Sequence, residues 1–73
     1  MKISEIKDKI LSFTNDVILI YNSEEIFINP WNDNKFELEY KDICKTYNSI
    51  DDLLSDKIYG GKSLSEIASL ITE

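Results

Sequence analysis

The hydrophobic residues of this chain recur first at helical spacing and then at alternate positions. Near the amino terminus they lie three or four residues apart, with charged residues between them, at Ile3, Ile6, Ile10 and Phe13. This spacing predicts an amphipathic helix. The period changes to two over residues 17–21, a β-branched and aromatic run that predicts a strand.

Two more strands are predicted after a turn signal at residues 22–23. Residues 24–29 form the second strand, and we expect Pro30 to end it because proline cannot donate a hydrogen bond to a ladder. Residues 35–41 alternate between apolar and charged side chains, which predicts a third strand with one solvated face. Residues 42–48 leave three alternatives open: an extension of the third strand, a short fourth strand or a loop.

The last third of the chain contains two helix-start signals. Ser49 with Asp52, and Ser63 with Glu66, fit the capping-box pattern in which a hydroxyl and a carboxylate bond the first backbone amides. A pair of glycines separates the two helices. The sequence therefore predicts one small α+β domain over residues 1–73. We expect a three-stranded antiparallel meander with an N-terminal helix and two C-terminal helices, in the order αβββαα, with the helices mainly on one face of the sheet.

Composition narrows the classes of partner. The formal net charge is -6, and all of the positive charge is lysine. Nucleic-acid binding needs a cationic stripe, and the commonest base contact needs arginine, so we expect no direct nucleic acid and no anionic membrane as partner. A protein partner is expected, and a basic protein is the class that this charge would attract. At 73 residues the core is small, so association with a partner or a second copy would add stability.

The residue types that most catalytic sites need are missing. The chain has no histidine and a single cysteine, Cys44, so we expect no zinc site, no internal disulfide and no histidine-activated nucleophile. Gly60-Gly61-Lys62-Ser63 matches the end of a phosphate-binding loop, but Asp56 stands where that motif needs glycine. We therefore interpret those four residues as a turn and a helix cap. We expect no cofactor, no catalytic residue and no enzymatic activity.

Localisation follows from what the chain lacks. Charged residues begin within the first few positions, and no apolar core of a signal peptide follows them. No apolar run approaches the roughly 20 residues that a membrane span requires. We expect a cytoplasmic protein, in a cell or as the product of a phage or mobile element.

The first hairpin has more apolar residues than one core face can use. A two-residue turn pairs Leu19 with Ile26, on the face that would also hold Phe36, Leu38 and Tyr40. Ile18, Ile20 and Phe27 then lie on the opposite face, where a solvated strand would carry polar residues. Three explanations remain open: helices cover both faces, a longer turn mixes the faces, or the residues form an exposed patch that binds a partner.

Trp31 is a further candidate for partner binding. It follows Pro30 in a segment predicted to be a polar loop. Tryptophan is enriched among the residues that dominate binding energy at interfaces. The alternative is that its side chain folds back onto the small core.

The C-terminal third resembles a group of known proteins. Residues 49–54, with the sequence Ser-Ile-Asp-Asp-Leu-Leu, are followed by Ile-Tyr-Gly-Gly-Lys-Ser-Leu-Ser-Glu-Ile over residues 58–67. Both runs, and the lysine-, isoleucine- and asparagine-rich composition, resemble small uncharacterised α+β proteins of low-GC Gram-positive bacteria and their phages. The resemblance implies a compact domain and an origin in a mobile element, and it carries no function to transfer.

Two functions are expected from these observations. The first is a non-catalytic protein-interaction or regulatory domain, with a second copy of the chain as one candidate partner, that binds through Ile18, Ile20, Phe27 and Trp31. The alternative is an acidic inhibitor that imitates DNA and blocks a nucleic-acid-binding protein. Its acidic surface would consist of Glu37, Glu39, Asp51, Asp52 and Asp56.

Overall fold

A computed structural model describes residues 1–13 and 16–72. The elements in chain order are α1 Ile3–Ile10, β1 Val17–Tyr21, β2 Glu24–Asn32, β3 Lys35–Tyr40, β4 Ile43–Tyr47, α2 Ile50–Ser55, α3 Leu64–Ile67 and a 3₁₀ turn Ala68–Leu70. The prediction of an α+β domain with an antiparallel sheet is confirmed. The predicted order αβββαα is wrong in its strand count, because the sheet has four strands in the order β1-β2-β3-β4.

The fourth strand is the segment that the sequence left open. Residues 43–47 pair antiparallel with β3, Tyr40 facing Ile43 and Phe36 facing Tyr47. The three residues between those ends are exposed on both sides of the strand. An edge strand with so little burial has no alternation of apolar and polar residues, which is why the sequence pattern did not separate it from a loop.

Pro30 does not end β2, contrary to the prediction. The strand continues to Asn32, with an irregularity in its pairing to β3 between Pro30 and Asn32. On the other side, β1 begins at Val17, which faces Ile28, so Pro30 lies beyond the end of β1. Proline is tolerated in a strand where one neighbour is missing or at a bulge, and both conditions are met here.

The first hairpin has the predicted register. Leu19 faces Ile26, and the two-residue turn of Asn22 and Ser23 joins their strands. Both turn residues have positive φ, 52° and 65°, as a type I′ turn requires. The interpretation that a longer turn mixes the faces is therefore wrong.

Replacing Ser23 by glycine should stabilise the protein by about 0.5 kcal/mol, because glycine has no Cβ to strain at positive φ. The measurement is the free energy of unfolding in urea. Ser69→Gly is the matched control, since Ser69 is not among the residues with positive φ. That control should lower stability, and a similar loss in both variants would contradict the assigned turn geometry.

One hydrophobic cluster joins the sheet to the helices. The buried strand residues all lie on one face, here called the inner face, and are Val17, Leu19, Ile26, Ile28, Pro30, Phe36, Leu38, Tyr40 and Tyr47. Buried residues of α1, α2 and α3 pack in the same cluster. The helices therefore cover the inner face and, in the described part of the chain, leave the other face without a helix.

The predicted helix caps are present. The Ser49 hydroxyl accepts a hydrogen bond from the backbone N–H of Asp52 at 3.1 Å. Ser63 and Glu66 form the reciprocal capping box, with hydrogen bonds of 3.3 and 3.1 Å. Gly60 has positive φ in the tight turn before Ser63, which confirms a turn and a cap at this place.

The last α-helix is short. α3 ends at Ile67 and tightens into the 3₁₀ turn, which leaves the Leu70 side chain 62% exposed. Beyond it, the backbone of Thr72 exchanges hydrogen bonds of 2.8 and 3.0 Å with that of Ile20. Thr72 thus pairs with part of the edge of β1 that faces away from β2.

Candidate protein-interaction surface

The face of the sheet that lies opposite the helices is here called the outer face. Its side chains come from the strand positions that alternate with the buried ones. They are Ile18, Ile20, Glu25, Phe27, Asn29, Trp31, Lys35, Glu37, Glu39, Cys44 and Thr46. Each is exposed or half-buried, so the whole face is accessible to another molecule.

Three apolar residues lie side by side on β1 and β2. Ile18 faces Phe27 directly across the pair, and Ile20 lies two residues further along β1. Ile18 is 49% exposed, and Ile20 and Phe27 are half-buried. These three residues are here called the apolar strip. The interpretation that helices cover both faces is wrong for the described residues, because the strip lies on the outer face.

Three carboxylates border the apolar strip. Glu39 of β3 faces Phe27, and Glu25 of β2 faces Ile20. Glu37 lies two residues from Glu39 on the same strand and the same face. Glu25, Glu37 and Glu39 are here called the outer-face carboxylates. The outer face is therefore apolar at Ile18, Ile20 and Phe27. It is acidic at Glu25 of β2 and at Glu37 and Glu39 of β3, with Lys35 at the start of β3.

Trp31 lies at the end of this face and is held in place. Its side chain is 58% exposed, so the interpretation that it folds back onto the core is wrong. The indole N–H donates a hydrogen bond to the Glu37 carboxylate, and the Lys35 ammonium lies 5.1 Å from the centre of the indole ring. Trp31 belongs to β2 rather than to a loop. It is an exposed aromatic side chain that contacts two neighbours on the same face.

The remaining predicted acidic residues lie elsewhere. Asp51 and Asp52 are exposed in the first turn of α2, which packs on the inner side of the sheet. Asp56 forms an ion pair with Lys45 and accepts a hydrogen bond of 2.8 Å from the Tyr47 hydroxyl. The five residues of the predicted acidic surface are thus divided between the two sides of the sheet, and one of them is neutralised by a lysine.

The contacts of Asp56 perturb two ionisable groups. The hydrogen bond from Lys45, and next the one from Tyr47, hold the pKa of Asp56 below its ordinary value. Burial, with the hydrogen bond to Asp56, raises the pKa of the Tyr47 phenol. Both shifts follow from one local contact between β4 and the end of α2, so they indicate a structural link between these elements.

This contact predicts a loss of stability in acid. A carboxylate with a lowered folded-state pKa stabilises the protein above its unfolded pKa of about 3.9, and the effect is lost as pH falls through the folded value. Urea unfolding between about pH 7 and pH 2 should therefore show a shallower acid decline for Asp56→Asn than for the native protein. Asp51→Asn is the control, and an equal change of slope in both variants would contradict the role of Asp56.

A polar groove includes the contact between Asp56 and Lys45. It has a volume of about 490 Å³ and is lined by Lys45, Thr46, Tyr47, Asn48, Asp52, Ser55 and Asp56. Among residues 1–13 and 16–72, no three cysteine, aspartate or glutamate side chains form a group that could hold a metal ion. None of the helices in that part of the chain is long and apolar enough to cross a membrane.

Comparisons with protein-family models, with curated proteins and with solved structures find no match to this chain. The function is therefore inferred from the geometry of the outer face. The predicted site residues omitted five that belong to this face, Glu25, Asn29, Lys35, Cys44 and Thr46. Glu25 could have been placed there from the hairpin register, whereas Cys44 required the assignment of β4.

Proposed function

We propose that this protein is a non-catalytic protein-interaction or regulatory domain whose outer face binds a partner protein. The apolar strip and Trp31 are the proposed contact residues. The observation that carries the proposal is the half-exposed Ile18 beside Phe27, on a sheet face that no helix of residues 1–13 and 16–72 covers. An antiparallel sheet with one solvated face normally carries polar residues there, as β3 of this protein does.

Burial of the apolar strip would supply binding energy that folding does not use. Complete burial of an isoleucine or phenylalanine side chain contributes about 1.5–3 kcal/mol, and the exposed parts of Ile18, Ile20 and Phe27 would contribute a share of this. Trp31 adds a large aromatic surface at the end of the strip. Because its contacts with Glu37 and Lys35 already restrict the side chain, little rotamer entropy is lost when a partner covers it.

The perturbed ionisable groups support a non-catalytic role. The groups with a shifted pKa are Tyr47 and Asp56, which bond each other, Tyr59 in the core, and Glu66 in a capping box. Each shift has a structural cause, and the two shifted groups that share the polar groove, Tyr47 and Asp56, are hydrogen-bonded to each other. A partner protein, rather than a small substrate, is the ligand class that suits a flat sheet face.

The proposal is tested by comparing three tagged baits in lysate of the source organism: the native protein, Phe27→Lys and Thr46→Lys. Thr46 is exposed on the outer face of β4, away from the strip. Thr46→Lys therefore adds a lysine to the same face without changing the strip. We expect a partner that survives a high-salt wash on the native and Thr46→Lys baits and is lost from Phe27→Lys. Retention on Phe27→Lys would contradict the proposal.

The same experiment separates the two alternatives. Release of a nucleic-acid-binding protein from all three baits by salt would favour the acidic inhibitor, because an interaction between exposed charges is screened. The division of the five acidic residues between two sides of the sheet does not favour this function. Capture of the untagged chain itself would identify a second copy as the partner.

A further inference from the structure

The outer face combines an apolar strip with an acidic border, and this combination specifies the chemistry of a partner. We infer that the docking segment is a cationic amphipathic α-helix, an inference that rests on the proposed function of the outer face. Its apolar stripe would cover Ile18, Ile20 and Phe27. Its basic residues would lie along β3, opposite Glu37 and Glu39.

The width of the strip fits a helix. Neighbouring strands lie about 4.8 Å apart, so β1 and β2 together present a strip roughly 10 Å wide. An α-helix with its side chains has a diameter of about 10–12 Å. A helix laid along β1 and β2 therefore covers the strip, and one flank of it reaches over β3, where the carboxylates are.

The spacing of the carboxylates also fits a helix. Glu37 and Glu39 are two residues apart on a strand, which separates them by about 6.7 Å. Two helix residues four positions apart lie on the same side and are separated by about 6 Å along the axis. A pair of lysines or arginines at positions i and i+4 would therefore reach both carboxylates at once.

Other occupants suit this face less well. A strand added beside the strip would use the outer edge of β1, but the backbone of Thr72 already bonds Ile20 there. A second copy carries the same net charge of -6, so two copies repel each other. An anionic membrane would meet the same repulsion.

The probes for this inference are two designed 18-residue peptides with the same leucine stripe. In one, lysines at positions i and i+4 flank the stripe, and in its twin every lysine is replaced by glutamate. Each peptide is titrated into ¹⁵N-labelled protein, and the amide shifts give the affinity and the site. We expect the lysine peptide to shift outer-face amides of β1, β2 and β3 and to bind at least tenfold more tightly than the twin (~10-fold per 1.4 kcal/mol).

Two double variants separate a local charge contact from general attraction. Glu37→Gln/Glu39→Gln should weaken the lysine peptide about tenfold, since two contacts with partly exposed charges are lost. Glutamine at position 37 keeps an acceptor for the Trp31 indole. Asp51→Asn/Asp52→Asn changes the net charge equally on the other side of the sheet, and it should weaken binding by less than about twofold.

Three results would overturn the inference. Equal weakening by both double variants would indicate attraction by net charge alone. Equal affinity for the glutamate twin would indicate an apolar contact without charge recognition. Absence of binding by either peptide, or shifts confined to the helices, would exclude a helix at this face. None of these results decides the proposed function itself, which is tested separately by whether the Phe27→Lys bait retains the partner.

Discussion

Replacing Ile28 by lysine should leave the protein unfolded at 25 °C, whereas the same replacement at the neighbouring Phe27 should leave it folded. Ile28 is 0% exposed and faces the helices, and Phe27 lies on the outer face. Burying an ammonium group without a partner costs several kcal/mol (~3–5), which matches the whole stability expected of a chain this short. At Phe27 the lysine stem can lie along the sheet with its charge in water, at a cost of about 1 kcal/mol.

Circular dichroism and urea unfolding of both variants measure this difference. Thr46→Lys is the control for an added charge on the sheet, and it should be nearly as stable as the native protein. If Phe27→Lys also unfolds, Phe27 is a core residue and the apolar strip is not available to a partner. If Ile28→Lys remains folded, the inner face is not the buried one.

The second large effect is a pair of tyrosine changes with opposite signs. Tyr59 is 2% exposed, and its hydroxyl has no hydrogen-bond partner among the described residues. Its ring packs against Tyr40, with ring centres 4.9 Å apart. Tyr59→Phe should keep this packing and remove the unsatisfied hydroxyl, which raises the free energy of unfolding by about 1–3 kcal/mol. Tyr47→Phe should lower it by about 1 kcal/mol, because the hydrogen bond to Asp56 is lost.

Urea unfolding at neutral pH measures both tyrosine variants. The same atom is removed in each, so the two variants serve as controls for one another. A decrease in stability for Tyr59→Phe as large as that for Tyr47→Phe would show that the Tyr59 hydroxyl has a hydrogen bond in solution. An increase for both would contradict the contact between Tyr47 and Asp56.

The first hairpin and the helix caps could be predicted because their signals are local. The register of Leu19 with Ile26 follows from a two-residue turn, and the cap at Ser63 follows from the acid three residues later. β4 could not be predicted, since its middle residues are exposed and have no periodicity. Pro30 was misread because its tolerance depends on where β1 begins, which is a property of the sheet rather than of the local sequence.

Which side chains of each predicted strand are exposed could be predicted, but the way in which β3 meets the first hairpin could not. Strand alternation places Ile18, Ile20 and Phe27 on one face once the register is known. Glu39 lies beside Phe27 because of the register of β2 with β3. No short turn signal in the sequence fixes that register. The ion pair of Asp56 is a tertiary contact with β4, so no pattern in the sequence indicated that this carboxylate is neutralised.

Alkylation of a cysteine placed beside the apolar strip tests the central claim most directly. Cys44 is the single cysteine and lies on β4, away from the strip, so Cys44→Ser with Glu25→Cys moves the thiol to an exposed position that faces Ile20. The rate at which iodoacetamide modifies this thiol is measured by intact mass, for the variant alone and saturated with the partner captured by the native bait. A partner that covers the apolar strip should slow the reaction roughly tenfold, because thiol reactivity requires access. An unchanged rate with the partner bound would show that it docks elsewhere and would contradict the account.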